Sequence, residues 1–216
     1  MTASRQRDLD ADLDGIGRRL RETRLASGMS QRELARRLGL SPSLISQIES
    51  GASNPSVGTL YAIVTELNVS LDTVIRGGPH DKSQSASTDK PEPFVVRAGE
   101  RPVISLESGV TWEELSDRRE VGLDFVYSVY EVGGTSSPDG SLMRHNGREY
   151  GFVVSGVLTA QIGFSEFEIS AGDSVSFDST RPHRYVNRGS VPVQALWLVI
   201  DRDERSGETS ISLSPH

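Results

Sequence analysis

Two periodicities divide this chain. Toward the N-terminus the apolar positions come in sets three or four residues apart: Ile16 and Leu20, Leu34 and Leu38, Ile45 and Ile48, then Leu60, Val64 and Leu67. That spacing lays each set along one face of a helix. Gly, Ser or Pro breaks the chain between sets, so the stretch predicts several short helices rather than one long one. Farther along the texture changes to short β-branched and aromatic runs: Phe125 to Val132, Tyr150 to Val154, Val157 to Ile162, Val175 to Phe177 and Val193 to Ile200. Glycines such as Gly147, Gly156, Gly163 and Gly172 punctuate these runs, as an all-β barrel or sandwich requires. Between the two textures lies GGPHDKSQSASTDKPEP, residues 77–93, which has almost nothing to bury and reads as a linker. The expected division is a flexible arm at 1–14, a helical domain at 15–76, the linker, a β domain at 94–202 and a tail at 203–216.

Local signals sharpen the helical half. Ser30 stands three residues before Glu33, a capping box opening a helix over QRELARRLG. Gly39 and Leu40 then make a tight turn, and Ser41 followed by Pro42 gives the next helix an N-cap and a proline at its first position. Small Ala35 suits a close crossing and Ile45 fills the angle, which together make the helix-turn-helix pattern. On the second helix Leu44, Ile45 and Ile48 face the core. Ser43, Ser46, Gln47 and Ser50 then form the opposite stripe, with hydroxyls and an amide suited to base edges. Gln31 before it, Pro42 at its start, and Ser53 and Asn54 after it complete the candidate DNA contacts, Gln31, Ser53 and Asn54 through phosphate. A helix from Val57 to Leu67 capped by Ser56, and another after Ser70, would make five.

The whole chain has 216 residues and a formal charge of −7, which at first speaks against DNA. The charge is unevenly placed. Residues 15–76 carry +3, and residues 94–216 carry −7. Arg18, Arg19, Arg21, Arg24, Arg36 and Arg37 would add attraction to phosphate. Absence of cysteine removes disulfides, thiolate metal sites and cysteine nucleophiles, so any metal must rely on His, Asp or Glu. No apolar run is long enough to span a membrane and the N-terminus has no apolar core of a signal peptide, so a cytoplasmic protein without membrane partners is expected.

Residues 15–76, through MSQRELARRLGLSPSLISQIESGASNPSVGTLYAIVTELNVSL, resemble the Cro and lambda-repressor-like, or xenobiotic response element, helix-turn-helix regulators. That resemblance implies a five-helix domain binding a double-stranded operator. RHNGREYGFVVSG at 144–156 and AGDSVSFDSTRPHRYVN at 171–187 resemble the two cupin motifs. His145, Glu149 and Gly156 match the first, and Gly172, His183 and Asn187 match the second. Met143 stands where the first motif has another histidine, and Asp178 where the second has proline. The resemblance covers about residues 94–202 and implies a double-stranded β-helix, a small jelly-roll-like barrel with a pocket at one end.

His145, Glu149 and His183 would bring two imidazoles and a carboxylate together, a ligand set for Fe, Zn, Mn or Ni. Two readings stay open: a divalent metal there, or a metal-free cupin whose His and Glu bind an organic effector. Strand alternation turns Gly151 and Val153 inward with Glu149, and Tyr185 and Asn187 inward with His183. Trp112, Tyr127, Tyr130, Phe152, Phe177, Tyr185 and Trp197 read as barrel packing. The joined halves imply a one-component transcriptional regulator, not an enzyme, that dimerises through its barrel and senses a small molecule or metal. Two alternatives are an Fe(II)-dependent cupin oxygenase of the hydroxypropylphosphonate epoxidase type and a DNA-binding scaffold whose barrel only dimerises.

Overall fold

The computed structural model describes residues 3–69, 71–76, 95–116 and 122–200. The linker at 77–93 and the tail at 203–216 lie outside them. The helical half comprises α1 (Ala3–Ala26), α2 (Gln31–Leu38), α3 (Pro42–Glu49), α4 (Val57–Glu66) and α5 (Leu71–Arg76). Residues 3–14, expected as a flexible arm, are part of α1.

Local chemistry sets the boundaries. Ser30 is extended and its Oγ accepts from the Glu33 N–H at 3.1 Å, which starts α2. The capping box is half formed, because the Glu33 carboxylate turns to Arg36 and Arg37 instead of returning to the cap. Gly39 ends α2 at φ 68°, a conformation that glycine adopts without a Cβ clash. Ser41 and Ser56 cap α3 and α4 in the same way, accepting from Leu44 N–H and Thr59 N–H at 3.1 Å each.

Ile16, Leu20, Leu34, Ala35, Ile45, Ile48, Leu60 and Val64 are buried together, so the helical periodicity becomes one core. At its polar end lies an ion pair. Arg24 Nε and Nη2 donate to the two oxygens of Glu49 at 2.5 and 2.8 Å, Nη1 donates to Met29 O, and Gln31 Nε2 donates to Glu49 Oε2 at 2.8 Å. This bidentate pair pins α1, α2 and α3 to one another.

The β half comprises β1 (Val103–Leu106), β2 (Val110–Glu114), β3 (Leu123–Tyr130), β4 (Arg148–Ser155), β5 (Val157–Ile162), β6 (Ser165–Ser170), β7 (Ser174–Asp178), β8 (His183–Val186) and β9 (Val193–Ile200). One antiparallel sheet has the order β1-β2-β3-β9-β4-β7 and the other β6-β5-β8. Their inner faces alternate as expected: Glu149, Gly151 and Val153 on β4, and His183 and Tyr185 on β8, are buried. Gly151 has a packing reason, since a Cβ there would lie 2.3 Å from the Trp197 ring.

The outer face of the larger sheet is also apolar. The register sets Phe125, Leu198 and Tyr150 in one row and Tyr127, Leu196 and Phe152 in the next. Tyr127 and Phe152 were expected inside the barrel. The strand period places both on this outer face, where Phe152 is 43% exposed.

The two halves meet where α1 packs against β1 and again at α4. Gly58 N–H donates to Ser136 O and Glu107 N–H donates to Pro55 O, both at 3.0 Å. A Cβ on Gly58 would lie 2.7 Å from Ser137 Oγ, so glycine allows this close approach. Among the described residues no helix is long and apolar enough to cross a membrane.

The Arg24–Glu49 pair predicts a stability effect. Removing one partner leaves the other buried and uncompensated, so Glu49→Ala should lose about 3 to 5 kcal/mol in urea unfolding. Arg24→Met combined with Glu49→Leu should recover most of it. Burial pushes the Glu49 carboxyl up, but hydrogen bonds from Arg24 and Gln31 outweigh that and hold it below the ordinary 4.5. Its contribution should be complete above pH 4.5 and fade as acid titrates the folded carboxylate. A Glu49→Ala loss that did not shrink on acidification would contradict this.

Candidate functional site

On the helical half, α3 presents Pro42, Ser43, Ser46, Gln47 and Ser50 to solvent while Ile45 and Ile48 are buried. The helix therefore has the shape of a recognition helix, with hydrogen-bonding groups along one exposed stripe. Two of the residues expected at phosphate also bond within the domain. Gln31 donates its amide inward to Glu49. The Ser53 N–H turns back to Gln47 O at 3.2 Å, and Asn54 is half-buried.

The arginines are more committed than their number implies. Arg24 is buried in its ion pair, Arg18 pairs with Glu22, and Arg36 and Arg37 share Glu33, with Arg37 also reaching Glu66. Arg21 and Arg32 line an open groove between the end of α1 and the start of α2, beside Ser30 and Gln31.

In the barrel the structure brings His145, Glu149 and His183 together from three elements. His145 lies in the loop before β4, its backbone N–H donating to Ser179 O at 3.2 Å. Glu149 comes from β4 in one sheet and His183 from β8 in the other, and all three are buried. His145 Nε2 and His183 Nε2 each lie 3.2 Å from Glu149 Oε2. The other carboxylate oxygen, Oε1, accepts from the Tyr185 hydroxyl at 2.8 Å, which fixes the direction of Oε2.

The imidazoles are oriented as well. His183 Nδ1 lies 2.8 Å from Arg181 O and His145 Nδ1 lies 3.3 Å from Asn146 O. A carbonyl oxygen only accepts, so Nδ1 carries a hydrogen, which leaves Nε2 as the ring atom available to a ligand. Yet neither Nε2 nor Oε2 has a partner in hydrogen-bond alignment. Three buried ligand atoms close together and without an aligned hydrogen bond are a set that a cation could satisfy. Their ligand atoms all lie within 4.8 Å of one another, as a single ion requires. Two imidazoles and one carboxylate suit Fe, Zn, Mn or Ni and leave coordination positions open.

Met143 does not replace the missing histidine. Its side chain lines the cavity, and its backbone pairs with His183 through N–H to O bonds at 2.9 and 3.0 Å. Asn187 is structural: its amide donates to Tyr130 O, Glu131 O and Val191 O and accepts from Gly189 N–H, which latches the loop after β8.

Comparison with known proteins agrees with both halves. Residues 20–74 match the helix-turn-helix family model, and residues 126–199 match that of the cupin domain. The chain joins a helix-turn-helix domain to a cupin domain. It is 27% identical over 173 residues to the HTH-type transcriptional regulator PuuR of Escherichia coli, covering 79% of this chain and 86% of that protein. It is 25% identical over 180 residues to the HTH-type transcriptional regulator SutR of the same organism, covering 83% and 91%. The crystal structure of an HTH_3 family transcriptional regulator from Vibrio cholerae aligns at 21% identity and a TM-score of 0.64, over 89% of this chain and 99% of that one. The shared fold therefore includes both domains.

The cupin site has one member that sequence reasoning missed altogether. Tyr61, on α4 of the helix-turn-helix domain, stacks on His145 with ring centroids 4.2 Å apart and planes 12° from parallel. Its place in the α4 periodicity reads as core, and no local signal reveals that this core extends into the cupin. Tyr185, expected as packing, in fact orients Glu149, and Trp112, Tyr130 and Trp197 line the cavity rather than merely fill the barrel.

Proposed function

We propose that the chain is a homodimeric, sequence-specific DNA-binding transcriptional regulator whose cupin domain holds a divalent metal and senses a small molecule there. The observation that carries this reading is the exposed polar stripe of α3, in the same chain as a buried set of unpaired metal donors. DNA is read by Ser43, Ser46 and Gln47 in the major groove, with Gln47 the side chain able to bond a base at two positions. Pro42, Ser53, Asn54 and the α2 terminus at Gln31 lie around that stripe and position it on the backbone. Such a regulator works in the cytoplasm beside its operator.

Dimerisation supplies the two-fold axis that paired half-sites about 34 Å apart demand. The surface for it is the outer face of the larger cupin sheet, whose rows centred on Leu198 and Leu196 form an apolar patch on three neighbouring strands. A second copy of the same patch is self-complementary under two-fold symmetry. A bound metal would supply a Lewis-acidic centre to which an effector's donor atoms could bind. The chain's own residues orient that centre through Tyr185, Arg181 O and Asn146 O.

Three measurements test the reading. In fluorescence anisotropy against the upstream region of its own gene, Gln47→Ala should weaken specific binding by about 1 to 3 kcal/mol and non-specific binding much less. Equal loss on every sequence would reduce Gln47 to a backbone contact. Phe152→Glu should give monomers by sedimentation and lower operator affinity by about a hundredfold or more, since the two heads then bind independently. Unchanged mass would place the dimer interface elsewhere. Co(II) titration followed by visible absorption should show one site per chain, lost in His183→Ala and weakened about 10- to 100-fold in Tyr185→Phe. Absence of uptake by the wild type would favour the metal-free reading.

A further inference from the structure

The cavity beside the triad is too small for any organic molecule. What closes the barrel mouth does not belong to the barrel. Tyr61 extends from α4 so that one face of its ring covers His145, while Trp112 meets it edge to face at 5.9 Å and 68°. Val57, one turn earlier on the same helix, also lines the cavity. The helix is held there by two backbone hydrogen bonds, from Gly58 to Ser136 and from Glu107 to Pro55, and by the close approach that Gly58 permits. Beneath this cover the Trp112 indole N–H is buried without an acceptor, alongside the unpaired donors of the triad. The closed state thus leaves polar groups unmet that an incoming ligand could satisfy.

We infer that Tyr61 is the lid of the cupin site, carried by the DNA-binding domain itself, so that any occupant larger than a water or single ion must displace α4 from the barrel mouth. This deepens the regulator reading and rests on it for its consequence at DNA. The ring is boxed between His145, Trp112 and its own helix, so it withdraws with α4. That helix shares its core with α2 and α3 through Leu60, Ile63 and Val64, and is tied to α2 by the Arg37–Glu66 bridge. Displacing the lid therefore moves the reading helix relative to the dimerising sheet. The ligand and the closed head compete for one place, which is a coupling free energy with a defined structural carrier.

The chain has two tryptophans, Trp112 and Trp197, and both line this cavity, so their emission reports its accessibility. Acrylamide quenching should be low in full-length wild type and in Tyr61→Phe, which keeps the stacked ring. In Tyr61→Ala it should rise by about tenfold, as for a site previously closed roughly nine-tenths of the time. Gly58→Val provides a second route: it leaves Tyr61 in place but drives α4 against Ser137, and should expose the tryptophans likewise. Equal quenching in all four proteins would overturn the lid. Hydrogen exchange decides whether the helix moves with the ring. The Glu107 amide, bonded across to Pro55, should exchange about tenfold faster in Tyr61→Ala and Gly58→Val than in wild type. An unchanged rate alongside raised quenching would mean that the ring swings alone, which overturns the coupling. Neither measurement uses DNA or metal, so failure to bind an operator would sink the regulator reading while leaving the lid to be judged on quenching and exchange.

Discussion

A carboxylate buried in an apolar barrel needs partners for both oxygens, and the position of Glu149 imposes that demand on the whole cupin domain. Tyr185 meets one oxygen with a hydroxyl from the opposite sheet. The other faces two imidazoles, one from the loop before β4 and one from the start of β8. Both sheets must close on each other in one register for this to happen. The antiparallel pairing of β4 with β9 and of β5 with β8 sets that register. Gly151 contributes by having no side chain, since a Cβ would displace the Trp197 ring that packs near Tyr185. Charge burial is costly, and here it serves less to stabilise the barrel than to fix the positions of three ligand atoms.

The helical domain meets the same demand with a different partner. Glu49 follows the reading face of α3 and is buried, but its counter-charge is a guanidinium that fits both oxygens in a planar fork. No donor atom is left over, and the result is a rigid junction rather than a site. A buried carboxylate paired with arginine is complete, whereas Glu149 Oε2 and the two Nε2 atoms beside it have no aligned hydrogen bond and could hold a cation. That contrast separates a closed structural pair from a set of atoms able to hold a metal.

Much of this was legible in the sequence because it is written in local chemistry. The serine caps at 30, 41 and 56, the left-handed Gly39 and the inward alternation at Glu149, Gly151 and Val153 depend on neighbours a few residues away. The spacing of His145 and Glu149 carries the site for the same reason. What escaped depends on contacts between distant segments. Arg24 and Glu49 stand 25 positions apart, and the arginine looked like a phosphate contact until its partner was located. Tyr127 and Phe152 have the composition of core residues, and only the strand register reveals that they face outward. Tyr61 is legible as a core residue of its helix, but the surface completing that core belongs to another domain, which helical period cannot indicate.

The charge of the reading domain gains meaning from these pairings. Its excess of +3 remains, yet Arg18, Arg24, Arg36 and Arg37 each have a carboxylate partner. Phosphate must therefore compete with ions already in place, and the counterions released on binding are fewer than eight arginines would release alone. A single head with this balance and one short reading helix has little affinity to offer. Two heads at fixed separation gain by effective concentration, but only when their spacing matches the half-sites. Control of affinity then needs no change in the reading surface. It is enough to alter how the head sits on its barrel, and α4, seated by Gly58 and Tyr61 over the triad, is a place where the two are joined.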